Sequence, residues 1–235
     1  MGCIECIFLF LITTALKSNI WESKNECNEG TTMAKLTAMI NEDDPTAKNN
    51  LAPFTPTMPQ VQKISIEMMK LESCDVLFDL GCGDGRMLVA AAEANPGIKC
   101  VGIELHPLFA ERAMEAVKSL PPDVSDRIEI RKGDVLDSVV LDGGYSLKED
   151  ALSLMEDATA IFLFLMPRGL EKILPLMEMV AQRRKEQGKA FRVISYIFSM
   201  KTWNPVKVDR TTKGDVAIYL YNLSSLDTEQ IIWES

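Results

Sequence analysis

The chain has 235 residues, 47% hydrophobic and 25% charged, an ordinary globular composition long enough for one domain with a sizeable core. Its formal net charge of −9 makes it a poor default binder of DNA or RNA, which attract basic surfaces, and a fitting partner for cationic groups such as lysine side chains. With His106 as the only histidine and Cys3 and Cys6 as a lone C-x-x-C, no zinc framework is expected. Cys74, Cys82 and Cys100 read as reduced thiols of an intracellular protein.

Residues 7–12, I-F-L-F-L-I, extend apolar to Leu16 but fall short of the ~20 residues that a membrane span needs. They resemble a signal-peptide core, yet Glu5 sits where positive charge belongs. Gly2-Cys3 fits a lipidation start, yet position 6 is Cys where Ser or Thr is required. No arginine precedes Arg86, against a typical transit peptide. Met33-Ala34-Lys35 is an alternative start. Residues 1–32 are therefore either a targeting segment, membrane-proximal through residues 6–16, or a dispensable extension. Residues 41–50 read as a polar linker. The expected division is 1–50 extension, 51–223 domain and 224–235 tail.

From Pro59 onward strands and helices alternate. Residues 60–71 are helical, with Val61, Ile64, Met68 and Leu71 at helical spacing. Residues 75–80 form a first strand that runs straight into the glycine-rich turn 81–85, G-C-G-D-G, and a helix over 86–94. A strand follows at 99–104, then a helix over 107–120 opened by Pro107, and a third strand at 127–131. A short helix is expected over 147–156, and A-I-F-L-F-L at 160–165, apolar on both faces, reads as a central strand. Residues 168–187 form a long helix with Leu170, Ile173, Leu174, Met177 and Val180 as its core stripe and Pro175 as a kink site. A fifth strand at 191–198 and an antiparallel pair, 205–208 with 216–221, close the fold. The class is α/β, a mostly parallel sheet with helices on both faces.

Ligands of such sheets bind beyond the carboxyl ends of the strands. There the turn is expected to offer backbone N–H groups and a helix N-terminus. G-x-G-x-G lacks the third glycine of the dinucleotide pattern, whose place Arg86 takes, and Asp79 at the strand end would repel a pyrophosphate. A ligand carrying positive charge suits Asp79 better. Glu104 ends the second strand, 25 residues on, where a carboxylate accepts both hydroxyls of a ribose. Asp134, after the third strand, faces the position of an adenine amino group, with Leu105 and Val135 as apolar neighbours for its ring.

The run D-L-G-C-G-D-G from Asp79 to Gly85, G-I-E-L ending at Leu105 and G-D-V-L from Gly133 resemble the three motifs of class I S-adenosylmethionine-dependent methyltransferases. The resemblance implies a Rossmann-like, seven-stranded sheet with a reversed last strand. It also implies a cofactor site of Asp79, Gly81, Gly83, Gly85, Glu104, Leu105, Asp134 and Val135, with Asp79 near the methionine ammonium. Pro53-Phe54-Thr55-Pro56-Thr57 and Thr202-Trp203-Asn204-Pro205-Val206 are similar to segments of a small family of mitochondrial protein-lysine methyltransferases acting on the adenine nucleotide translocase and the ATP synthase c-subunit. His106, where that family commonly carries Asn, and the long 142–157 segment depart from it.

That resemblance implies a protein lysine as methyl acceptor. The expected setting is intracellular, mitochondrial or cytoplasmic, and the expected state is a monomer that binds no nucleic acid. Pro56, Met166, Pro167 and Trp203 are its substrate-channel candidates. Phe164-Leu165-Met166-Pro167 lacks the polar head that nucleic-acid adenine methyltransferases carry after the fourth strand. A small-molecule methyltransferase and a cofactor-binding scaffold without turnover are the competing readings. No general base is identifiable. Cys82 has no histidine placed to activate it and reads as a small loop filler. His106 reads as a helix cap or surface residue, and Trp203 either lines a channel or plugs the sheet edge.

Overall fold

The computed structural model describes residues 51–52, 54–142 and 153–223. The N-terminal extension, the tail and most of the helix expected over 147–156 lie outside the described residues. Among those residues no helix is long and apolar enough to cross a membrane.

One seven-stranded sheet organises the chain. Its strands are β1 (Val76–Leu80), β2 (Lys99–Glu104), β3 (Ile128–Lys132), β4 (Ala160–Leu163), β5 (Arg192–Tyr196), β6 (Lys207–Asp209) and β7 (Ile218–Asn222), in the order β3-β2-β1-β4-β5-β7-β6. β1 to β5 pair in parallel, and β7 runs antiparallel to both β5 and β6. β1 and β4 are buried at every residue, as interior strands covered on both faces must be. The strand order reverses between β1 and β4, which leaves a crevice at their carboxyl ends.

Each sheet face has its own core. Leu77 of β1 packs on one side with Val61, Met68 and Met69 of helix α1 (Pro59–Met69), Leu88 and Ala91 of α2 (Arg86–Ala94), and Ala113 and Val117 of α3 (Pro107–Lys118). Val76, Phe78 and Leu80 point the other way, against Val140 and Leu141 of α5 (Ser138–Leu141) and the stripe Leu170, Ile173, Met177 and Val180 of α6 (Pro167–Glu186). Each such side chain contributes about 1.5–3 kcal/mol by leaving water. Leu174, expected in that stripe, is half-buried. Pro175 lies inside α6 without ending it.

Two short helices were not legible in the periodicity: α4 (Pro122–Ser125) and α5, each of four residues. In place of the helix expected up to Glu156, the described end is a single 3-10 turn, Met155–Asp157. Beside it, a buried pair shapes the loops after β3. Arg131 donates through Nε to Glu129 at 2.8 Å and through its other nitrogens to the carbonyls of Leu141 (2.7 Å) and Ser153 (2.5 Å). It thereby ties Leu141 and Ser153 to β3.

Candidate functional site

β1 leads directly into the turn, where Gly81, Gly83 and Gly85 all take left-handed φ values of +88°, +57° and +78°. Side chains adopt that region at a cost of about 1–2 kcal/mol per residue. Gly83 has a second reason: a Cβ there would sit 2.6 Å from Phe54 Cε2. The turn differs from the expected N–H cradle. Gly81 and Cys82 N–H both donate to Ile103 O (2.8 and 3.0 Å), Gly83 N–H to Glu104 Oε2 (2.8 Å) and Gly85 N–H to Cys82 O (2.9 Å). These donors face inward because the tight left-handed turn folds them back onto β2. A phosphate would find them already engaged.

The acids sit on one rim, at the ends of β1 and β2 and just past β3. Asp79 is 4% exposed, and burial, reinforced by the nearby Glu104 and Asp84 carboxylates, pushes its pKa well above the usual carboxylate range. Burial also raises Glu104, although N–H groups of His106 and Gly83, each 2.8 Å away, hold its two oxygens and oppose the rise. Asp134 turns one oxygen to Leu136 N–H at 2.9 Å. The arrangement concentrates acceptors, and among the described lining residues Arg86 grips Asp84 through Nε at 2.9 Å and Nη2 at 2.5 Å.

A cleft over this rim brings together Asp79, Gly81, Gly83, Glu104, Leu105, Asp134, Val135 and Pro56 of the residues expected there. Its further walls are Leu51, Phe54 and Thr55 on one side, Phe109 on α3, and Phe162, Phe164 and Leu165 at the end of β4. Phe54 stacks on Phe109 with ring centroids 3.9 Å apart. Gly85, Met166, Pro167 and Trp203 do not line it. Gly85 caps α2, where its hypothetical Cβ would meet Ala113 at 3.2 Å. Met166 and Pro167 open α6, and Met166 N–H donates to Leu51 O at 3.3 Å. Trp203 is 5% exposed and packs edge-on against Tyr221 with centroids 5.7 Å apart, a plug rather than a channel wall.

Residues 79–207 match the family described as the ANTKMT methyltransferase domain. A protein-lysine N-methyltransferase of Saccharolobus islandicus (strain REY15A) is 30% identical over 172 residues, spanning 72% of this chain and 92% of that protein. The chain belongs to the ANTKMT methyltransferase family. Among solved structures, an RNA methyltransferase from Salinibacter ruber in complex with S-adenosyl-L-homocysteine aligns with a TM-score of 0.57 and 26% identity, over 76% of this chain and all of that one. The protein is thus an S-adenosylmethionine-dependent methyltransferase with a Rossmann-like fold.

In this methyltransferase Cys82 is a packing residue. A Cβ on Gly102 would lie 2.7 Å from its Sγ, so the thiol fills the space that Gly102 leaves. Burial, followed by the charges of Asp79, Glu104 and Asp84, pushes its pKa well up and keeps it a thiol. His106 caps α3, its Nδ1 accepting from Leu108 N–H at 3.3 Å. Sequence reasoning missed Phe109, Phe162 and Phe164 as walls, because each also fits an ordinary core stripe. Phe54 and Thr55 had a signal, the Pro53–Thr57 motif, but its position over the turn is a tertiary fact.

Proposed function

We propose that this methyltransferase transfers a methyl group from S-adenosylmethionine to the side-chain amine of a protein lysine. The observation that carries the cofactor half is the acceptor set: three acids at adjacent strand ends, over a turn in which the N–H groups of Gly81, Cys82, Gly83 and Gly85 are engaged. Asp79 takes the methionine ammonium, Glu104 the ribose hydroxyls and Asp134 the adenine amino group, with Leu105 and Val135 beside the ring. Gly81 and Gly83 keep the floor low enough for close approach, and Gly85 starts α2 behind them. The lysine half is supported by the archaeal relative's name over 92% of its length and by an acidic chain suited to cationic partners.

Bound S-adenosylmethionine supplies a methyl group made electrophilic by its sulfonium. The chain's own task is to hold the acceptor nitrogen in line with that methyl group. A free lysine, with a pKa near ~10.4, is mostly protonated at neutral pH and must lose a proton first. The apolar wall of Phe162, Phe164 and Leu165 desolvates an incoming ammonium, which lowers its pKa and favours the neutral nucleophile. With the cofactor held there, methyl transfer would form a carbon–nitrogen bond at the expense of the carbon–sulfur bond, the electron pair remaining on sulfur and the proton lost from nitrogen going to solvent. Pro56 lines the same cleft.

The Salinibacter neighbour, an RNA methyltransferase, supplies the second acceptor class to test. Purified protein with methyl-labelled S-adenosylmethionine is offered a protein extract, RNA and small metabolites in parallel. Label on protein lysine is the expected result. Label confined to RNA or to small metabolites overturns the lysine assignment, and cofactor binding without any product overturns the catalytic one.

A further inference from the structure

Glu129 and Arg131 form a buried ion pair outside the cleft lining. They are alternate residues of β3, 2% and 0% exposed, and so share one face, where the Arg131 guanidinium lies over the Phe78 ring. As core filling the pair is a poor choice, because apolar side chains of similar volume are often neutral or stabilising in place of a buried ion pair. Hydrocarbon cannot supply a rigid fork of five N–H donors. Arg131 uses all of them. Nε and Nη2 donate to the Glu129 carboxylate at 2.8 and 3.2 Å. Nη1 donates to Val140 O (3.3 Å) and Leu141 O (2.7 Å), and Nη2 also to Ser153 O (2.5 Å).

Val140 and Leu141 end a loop that begins just past Arg131. Gly133 N–H donates to Glu104 O at 2.9 Å as the chain leaves β3, and Asp137 N–H closes on Asp134 O at 3.0 Å. Val140 then returns over Gly133, where a Cβ would lie 2.5 Å from Val140 Cγ2. Arg131 fastens this return to the strand that the loop left. Between the two ends stand Asp134 and Val135, both in the cleft lining. Among the described residues, Asp134 receives a hydrogen bond on one carboxylate oxygen, from Leu136 N–H at 2.9 Å.

We propose that Arg131, oriented by Glu129, is a positioning residue for adenine selectivity: by gripping the far end of the loop it holds the Asp134 carboxylate where it accepts from the adenine amino group. The inference rests on the assignment of that amino group to Asp134. Arg131 itself touches no ligand, and its effect is on which base the cleft prefers.

The test is titration calorimetry with S-adenosylhomocysteine and its deaminated analogue, S-inosylhomocysteine, which keeps the ribose and the amino acid but carries a carbonyl in place of the amino group. Wild type should prefer the adenine ligand about ten- to hundredfold, the worth of a hydrogen bond to a charged group. Asp134→Ala should abolish that preference. Arg131→Lys keeps a cation beside Glu129 without the fork. Arg131→Met with Glu129→Leu replaces the whole pair by apolar groups, so its fold does not depend on an ion pair. In both variants the preference should fall at least about threefold. A smaller folded fraction weakens both ligands by the same factor, so a merely structural role leaves the ratio unchanged. Either variant binding with the full wild-type preference overturns the proposal. A wild type without preference, or an Asp134→Ala variant that keeps it, overturns instead the adenine assignment on which the proposal stands.

Discussion

Replacing Asp79 with Asn separates what this buried acid does for the cofactor from what it costs the fold. Folding raises its pKa, mainly through burial, so the folded chain holds the proton more tightly than the unfolded chain. The sign follows. Its stabilising contribution is complete below the unfolded value near ~3.9 and declines as pH rises towards the folded pKa. Near neutral pH the unliganded Asp79→Asn protein should therefore melt at the same temperature as wild type or higher. Binding should move the other way. Removing one member of a buried charge pair costs about 3–5 kcal/mol, or roughly 150- to 5,000-fold in affinity for S-adenosylhomocysteine. At 100 times its dissociation constant the ligand stabilises wild type by about 2.7 kcal/mol, worth about 5–11 °C in Tm for a chain of this size. The same concentration leaves the variant about 0.3 kcal/mol or less, near 1 °C. Thermal melts with and without ligand read both effects. A variant that keeps the full ligand shift, or that loses it only because it is already unfolded, would refute the reasoning.

Other outcomes follow from the same geometry. Because the cationic amine favours ionised Asp79, wild-type affinity should tighten as pH rises through the raised pKa and level off above it. The Asp79→Asn variant should lack that pH dependence in calorimetry. Gly83→Ala meets both a left-handed φ of +57° and Phe54 Cε2 at 2.6 Å, so a loss of about 1–3 kcal/mol is expected in denaturant melts. Adding Phe54→Ala should then cost less than it does in wild type. Arg131→Met removes the guanidinium from the buried Glu129 carboxylate, and about 3–5 kcal/mol should be lost, part of it recovered by Glu129→Gln in the same chain. Cys82→Ala should retain methyl transfer in the labelled assay, and Cys82 should resist alkylation in the folded protein.

The elements most legible in the sequence were those with a single dominant local signal. The helix over 86–94 and the strand over 99–104 match α2 and β2 at both ends, because glycine turns and a Pro-Gly break bound them. The closing antiparallel pair was read from the sequence pattern, and its place in a seven-stranded sheet with a reversed last strand came from family resemblance. Short helices such as Ser138–Leu141 have less than two turns of periodicity, and the Asp137 cap alone was too weak a signal. At the site, the acids were readable because each lies at or just past a strand end. The direction of the turn's N–H groups was not, since it depends on Ile103 O of the neighbouring β2 receiving two of them. Trp203 was ambiguous for the same reason. An aromatic before a proline fits a channel wall or an edge plug, and only its packing on Tyr221 decides between them.

The most direct test of the site is a crystal structure of this chain with S-adenosylhomocysteine. The expected complex has the ammonium on Asp79, both ribose hydroxyls on Glu104 and the adenine amino group at Asp134, with the turn's inward N–H bonds unchanged. A ligand bound elsewhere, or one whose ribose and adenine bypass Glu104 and Asp134, would contradict the account.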